Sequence, residues 1–257
     1  MEHMQKHIIM VKIEGLRMNY RIFTLNNELC IIHYPYKPNG FGVLIIGGKE
    51  QYVEQNKSNW LDNYNRRNIL EALMAEGYTV FYSNFGKEHM GNERSIEQVK
   101  DLYEYVKRTE ILNEKIHIIA EGTGALIASN LLENKAGMIR SIVFINPIFS
   151  LNWLLDLLKN QPFMYKRALK VIADAYSIHE DQCEKLIKKK DGKVILHKLP
   201  YIIIHILEHG IQDNEWIQLY KRHFKNDIGN IQVLLPEKRS RILYYAKQLF
   251  KEAEIVL

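Results

Sequence analysis

The sequence predicts an α/β protein: a mostly parallel sheet with helices on both faces, interrupted by a helical insertion. From residue 42 onward, short branched runs such as Gly42-Val43-Leu44-Ile45-Ile46 and Ile202-Ile203-Ile204 alternate with stretches whose apolar residues recur at helical spacing. Runs that are apolar at nearly every position suit strands buried on both faces, which a parallel sheet between helices provides. Between residues 148 and 199 the alternation fails and only helical patterns remain. The expected division is therefore a core of residues 1–147 and 200–257, with 148–199 inserted as a helical cap.

The chain opens with strand-like pieces at residues 8–13, 20–25 and 29–34, separated by Gly15 and by Asn26-Asn27 and predicted to pair antiparallel as hairpins. Pro38-Asn39-Gly40 turns the chain into the buried strand 42–46, which ends at Gly47-Gly48. Ile69, Leu70, Leu73 and Met74 form one helical face stopped by Gly77, and residues 78–82 read as the next strand. Ile96, Val99, Tyr103 and Val106 mark the following helix. Lys115 to Leu126, KIHIIAEGTGAL, then spells strand, sharp turn and helix, with small residues where helix would meet strand. A strand at 141–145 ends at Asn146-Pro147. The insertion reads as helices at 151–159, 164–176 and 181–190. Order resumes with a strand at 201–207, a helix around 216–224, a strand at 231–235 and a closing helix at 243–251.

Composition narrows the class. At 257 residues, 47% hydrophobic and 25% charged, the chain is an ordinary globular one whose length suits one α/β domain carrying an insertion as well as two small domains. Its 35 Lys and Arg against 30 Asp and Glu leave +5, spread along the chain with no basic arm, so nucleic acid is not an expected partner. Cys30 and Cys183 stand far apart with no metal-ligand spacing, which predicts free thiols and a reducing, cytoplasmic compartment. The opening residues lack the pattern of a secretory signal, and no run nears the roughly 18 apolar residues of a spanning helix, so stable membrane insertion is not expected.

At the strand-to-helix junction, Ala120-Glu121-Gly122-Thr123-Gly124 resembles the G-x-S-x-G nucleophile elbow of the α/β-hydrolases, with Gly122 in the nucleophile's place. The resemblance runs from about residue 22 to the end of the chain and implies an α/β-hydrolase-like fold. It matches Gly47-Gly48 to the His-Gly that supplies part of the oxyanion hole, and Gly86, His89 and Gly91 to the family's Gly-His-Gly segment. The acid position falls to Glu208 or Asp213. The histidine is expected after the last strand, and there the chain reads Pro236-Glu237-Lys238-Arg239-Ser240-Arg241.

A glycine has no atom with which to attack a carbonyl, and without a neighbouring base no hydroxyl is activated. The resemblance thus implies a degenerate member that binds a small acyl or apolar ligand, or a protein partner, in the former active-site cleft. Gly47, Gly48, His89, Glu121, Gly122 and Thr123 would line it, with no cofactor. One alternative is an active hydrolase on carboxylic esters with an unconventional nucleophile. A second is a non-enzymatic scaffold acting through its surface.

Plainer readings stand beside these. Glu121 suits a satisfied rim carboxylate, Thr123 a helix-start residue offering its N–H, and the stripe Trp153, Leu154, Leu157 and Leu158 packing of the insertion on the core. Ser83, Ser240 and His89 are further candidates of common residue types. His205-Ile206-Leu207-Glu208-His209 spells H-x-x-E-H, which on a helix gathers zinc ligands. It continues the branched run 202–204, so a strand is predicted, on which Glu208 points away from both histidines; no metal is expected. A retained elbow further predicts a positive φ at Gly122.

Overall fold

The computed structural model describes residues 7–13, 16–49, 51–190, 196, 199–208 and 210–255. Among them, nine strands form one sheet in the order β1-β2-β3-β5-β4-β6-β7-β8-β9. Strands β1 (His7–Ile13), β2 (Leu16–Leu25) and β3 (Glu28–Tyr34) form an antiparallel meander, and β3 pairs antiparallel with β5 (Thr79–Ser83). From β5 through β4 (Gly42–Ile46), β6 (Ile116–Glu121), β7 (Ile139–Ile145) and β8 (Tyr201–Ile206) to β9 (Ile231–Leu234), every pairing is parallel. The predicted fold class is the one found. Asn26 and Asn27 both take left-handed φ, +50° and +65°, which is what a two-residue hairpin between right-twisted strands requires.

Two apolar layers follow from the strand period of two. In β4, Leu44 and Ile46 face a core completed by α3 (Glu93–Thr109), α4 (Gly124–Asn134) and α8 (Ile211–His223). Val43 and Ile45 face the opposite way, toward α1 (Asn59–Asp62), α2 (Tyr64–Ala75) and α9 (Arg241–Ile255). Strand order reverses around β4, with β5 on one side and β6 on the other. Such a reversal opens a crevice at the carboxyl ends of β4 and β6, where sheets of this kind place ligands.

Between β7 and β8 run α5 (Leu151–Leu158), α6 (Pro162–Tyr176) and α7 (Cys183–Lys190). Leu155, Ile172, Cys183 and Ile187 give them a small apolar centre that reaches the rest of the molecule at Met90 and Leu126. Trp153 packs against the larger core instead, its ring centroid 4.0 Å from that of His223. Helix α8 starts at Ile211, five residues earlier than its apolar pattern suggests, because the turn holding Gln212, Asp213 and Asn214 carries no apolar repeat. Helix α1 has no apolar repeat to announce it in the sequence; it is one turn held by the Ser58 side chain, which accepts from the Leu61 N–H at 3.2 Å. Cys30 and Cys183 are free and buried. No helix among the described residues is long and apolar enough to cross a membrane.

Candidate functional site

The turn after β6 sits at that crevice. Gly122 has φ +56°, the left-handed value the elbow resemblance predicts. Its N–H donates to the Ile145 carbonyl at 3.0 Å, and its own carbonyl accepts from the N–H of Ile148 at 2.9 Å and of Ala125 at 3.2 Å. The turn is thus fastened to the end of β7 and opens α4 directly. Around Gly122 there is room: a Cβ built there comes no nearer to another heavy atom than the Gly48 Cα, at 3.9 Å. At Gly124 there is none, since a Cβ would lie 2.8 Å from the Ile46 carbonyl carbon. One glycine is there for its φ and the other for its closeness.

Gly47 and Gly48 close the second wall. A Cβ on Gly48 would lie 3.2 Å from the Glu121 carbonyl oxygen and 3.4 Å from the Thr123 nitrogen, so the two turns touch backbone to backbone. Gly47 is covered by Gln51, whose Cβ would be 2.6 Å from a Cβ there and whose amide donates to the Ser83 carbonyl. Thr123 is only 5% exposed. Its φ and ψ are helical, it makes no side-chain cap bond, and its hydroxyl has no hydrogen-bond partner among the described residues. The structure therefore brings Gly48, Gly122 and Thr123 together as a small cradle at the start of α4, where the helix field favours negative charge.

His89 is held in the wall of this cradle and does not line it as a free ligand group. The Gly91 N–H donates to its Nδ1 at 3.0 Å, which fixes the proton on Nε2, and Nε2–H donates to the Gly47 carbonyl at 3.0 Å. Both ring nitrogens are spent in tying the β5–α3 loop to the end of β4. Burial pushes the ring's pKa below the ordinary histidine value, against the opposing pull of the Gly47 carbonyl. Ser83 is spent likewise, donating to the Leu29 carbonyl at 2.9 Å.

Glu121 turns to the other face of the sheet, where Arg66 from the first turn of α2 holds it with two bonds, Nη2 to Oε1 at 2.6 Å and Nε to Oε2 at 3.2 Å. It is the satisfied rim carboxylate of the plainer reading. Arg66 carried no sequence signal, being one of several charged residues ahead of an apolar helical face. The two acid candidates part company. Asp213 is 1% exposed and accepts from His205 Nε2 at 2.9 Å, between β8 and α8. Glu208, just past the end of β8, pairs with Arg239 in the turn after β9. His205 and Glu208 thus engage different partners; His209 lies outside the described residues, and among those described no group of three metal-ligating side chains occurs. Asn146, φ +44°, does more than end a strand: its Oδ1 accepts from the Ile206 N–H at 2.7 Å, two residues before the Ile148 N–H that donates to the Gly122 carbonyl.

No protein-family model and no curated protein matches the sequence. Solved structures do match the fold. An esterase/lipase from an uncultured bacterium aligns with a TM-score of 0.61 at 12% identity, over 92% of this chain and 85% of its own. Lipase A of Candida antarctica, in its closed state, aligns at 0.57 and 10% identity over 85% of this chain and 71% of its own. A Pyrococcus furiosus esterase aligns at 0.54 and 15% identity over 95% and 93%. The fold of the chain is that of the α/β-hydrolases.

Proposed function

We propose that this chain has kept the α/β-hydrolase elbow without its acyl-transfer chemistry, and that the cradle of Gly48, Gly122 and Thr123 holds a small acyl or apolar ligand beneath residues 148–199 acting as a cap. The observation that carries the reading is Gly122 itself: a left-handed turn tip with open space above it and no side chain to fill that space. The acid–base end supports it. Where the resemblance expects a carboxylate and a histidine, Glu208 meets Arg239, and a guanidinium stays protonated and cannot take a proton from a nucleophile. The buried Thr123 hydroxyl is suited to a carbonyl or carboxylate oxygen, and a ligand that satisfies a buried hydroxyl gains what the apo protein forgoes.

Reaction with a serine-directed fluorophosphonate, followed by intact mass, tests the first half; no labelling is expected, and stoichiometric labelling at any serine overturns the reading. Gly122→Ser alone should leave short-ester turnover at background, whereas adding Arg239→His should raise it, since a hydroxyl works only beside a base. A panel of acyl amides should raise the melting temperature with ligand concentration, and a flat response across the panel removes the binding half.

A further inference from the structure

The loop from β5 to α3 gathers the bulky left-handed residues of the chain. Among the described residues seven other than glycine take a positive φ. Four are Asn26, Asn27, Asn146 and Ser177, short polar side chains in turns or at the end of a helix, where that region is tolerated. The other three, Phe85 at +49°, Lys87 at +55° and Met90 at +44°, all stand in this loop, beside Gly86 at +79° and Gly91 at +70°. A bulky residue in the left-handed region is strained where Gly or Asn would not be, and it stays there only while the surrounding contacts over-determine it.

Those contacts come from two sides. Toward the cradle, His89 Nε2–H donates to the Gly47 carbonyl at 3.0 Å, and Gly91 lies so near α4 that a Cβ on it would be 2.6 Å from the Leu126 Cβ. Toward the inserted helices, the Tyr176 hydroxyl at the end of α6 donates to the Met90 carbonyl at 3.1 Å, and the Asn92 amide donates to the Ala175 carbonyl at 2.6 Å. The Met90 side chain is buried in one cluster with Leu155, Ile172 and Ile187, one from each inserted helix. Consecutive residues thus face different elements: His89 holds the cradle wall, Met90 holds α6, and Gly91 rests on the helix that the elbow opens. Phe85 is buried in the α3–α4 core and fixes the near end, which leaves residues 86–91 to move. We propose that this loop is a strained strap through which the inserted helices set the Gly47–Gly48 wall of the cradle. With α6 seated on Met90 the strap is held and His89 grips Gly47; when α6 lifts, the left-handed backbone relaxes and draws His89 off that carbonyl. The coupling is reciprocal, so a ligand that fixes the wall also seats α6. As regulation of the cradle the inference rests on the ligand-binding reading above, but the strap is tested without ligand, so either can fail alone.

Amide exchange in the whole chain, followed residue by residue by NMR, is the test. The Gln51 N–H, which donates to the Gly48 carbonyl, reports on the wall; the Gly91 N–H, bonded to His89, reports on the strap; the Ile178 N–H, which donates to the Ala173 carbonyl, reports on the end of α6. Ile119 in β6 is the reference for global opening. Tyr176→Phe removes the bond to Met90 and should speed exchange at Gln51 and Gly91 by about fivefold, what one ordinary hydrogen bond contributes, with Ile119 unchanged. Lys87→Gly relieves strain at an exposed residue whose side chain makes no hydrogen bond or ion pair among the described residues, and should slow exchange at Gln51, Gly91 and Ile178 by about threefold. Tyr165→Phe, which removes a bond to Glu184 within the inserted helices, should leave Gln51 as it is. The proposal is overturned by a Tyr176→Phe effect confined to Ile178, by a Lys87→Gly variant in which Gln51 exchanges as fast as in the parent or faster, or by Tyr165→Phe moving Gln51 as far as Tyr176→Phe does. Should Tyr176→Phe not fold, Ile172→Val, which thins the apolar contact behind Met90, is read in its place.

Discussion

The two ends of strands β6 and β7 make an instructive contrast. At their carboxyl ends stands a turn with the shape of a nucleophile elbow and no reactive side chain on it. At their amino ends stand the side chains of a hydrolytic triad with no access to them. Ser141, the third residue of β7, donates its hydroxyl to His117 Nδ1 at 2.7 Å, and His117 Nε2 donates to Glu254 Oε1 at 3.2 Å. Ser141 and His117 are fully buried, and the imidazole lies stacked on Phe250 with ring centroids 4.1 Å apart. Burial holds the His117 pKa below its ordinary value, so the ring is neutral and the contact with Glu254 is a hydrogen bond. Burial also pushes the Glu254 carboxyl up, but the bonds from His117 and from the Tyr78 hydroxyl, the latter at 2.6 Å, outweigh it and keep it below the usual carboxylate range.

What separates the two ends is the direction of the sheet. In a parallel sheet the carboxyl ends of strands lead into helix starts, whose free N–H groups converge on a crevice that binds developing negative charge. The amino ends receive helix ends, whose carbonyls do the opposite. Ser, His and Glu in hydrogen-bonded sequence are therefore a polar clasp for α9 at that end of the molecule.

The largest effect expected is on the clasp and its fellow buried histidines when the pH falls. His33, pushed down to about 3 by burial, His89 and His117 all have folded pKa values below the ordinary 6.5. Below pH 6.5 the unfolded chain binds protons that the folded chain refuses, so stability should be unaffected by these groups above that pH and should fall on acidification, by up to about 1.4 kcal/mol per pH unit for each. Urea midpoints at pH 7.5 and 5.5 check it; equal midpoints would mean that the rings are protonated in the fold.

Gly124→Ala comes next. Its Cβ collides with the Ile46 backbone, which has no flexible end to give way, and a loss of roughly 3 kcal/mol is expected by chemical denaturation. At the other end of β6, Ser141→Ala strands His117 Nδ1 without a donor and should cost about 1 to 3 kcal/mol, with no change in any ester turnover. An activity loss in that variant would show the sealed triad to be reachable. Gly122→Ala should be the mildest, about 1 kcal/mol, because the site has room for a methyl group and only the left-handed φ opposes it. A variant that melts above the parent would show that the turn is not held in that conformation.

Much of this was legible from residue pattern. The branched runs of β4 and β8, the paired asparagines of the β2–β3 turn and the Gly-Thr-Gly after β6 each act within a few residues, so backbone sterics and burial period fix them locally. Gly122's left-handed φ was legible only through the resemblance to the nucleophile elbow, since glycine by itself takes either sign of φ.

The partners of the charged and polar groups belong to the other class. Arg66 and Glu121 are 55 residues apart, and His117 and Glu254 are 137 apart. That β5 lies outside β4, so that β4 and β6 open a crevice together, is a property of the whole sheet. His89 gave the same one-letter signal whether it was to be a base or a strut, and only the Gly47 carbonyl and Gly91 N–H on either side of its ring made it a strut. The sequence by itself determined which segments become strands and helices, because that choice is made over a few residues by dihedral preference and apolar period. Which acid meets which base was decided only by the tertiary structure, because a hydrogen bond is a matter of a few tenths of an ångström between atoms that the chain order leaves free to lie anywhere.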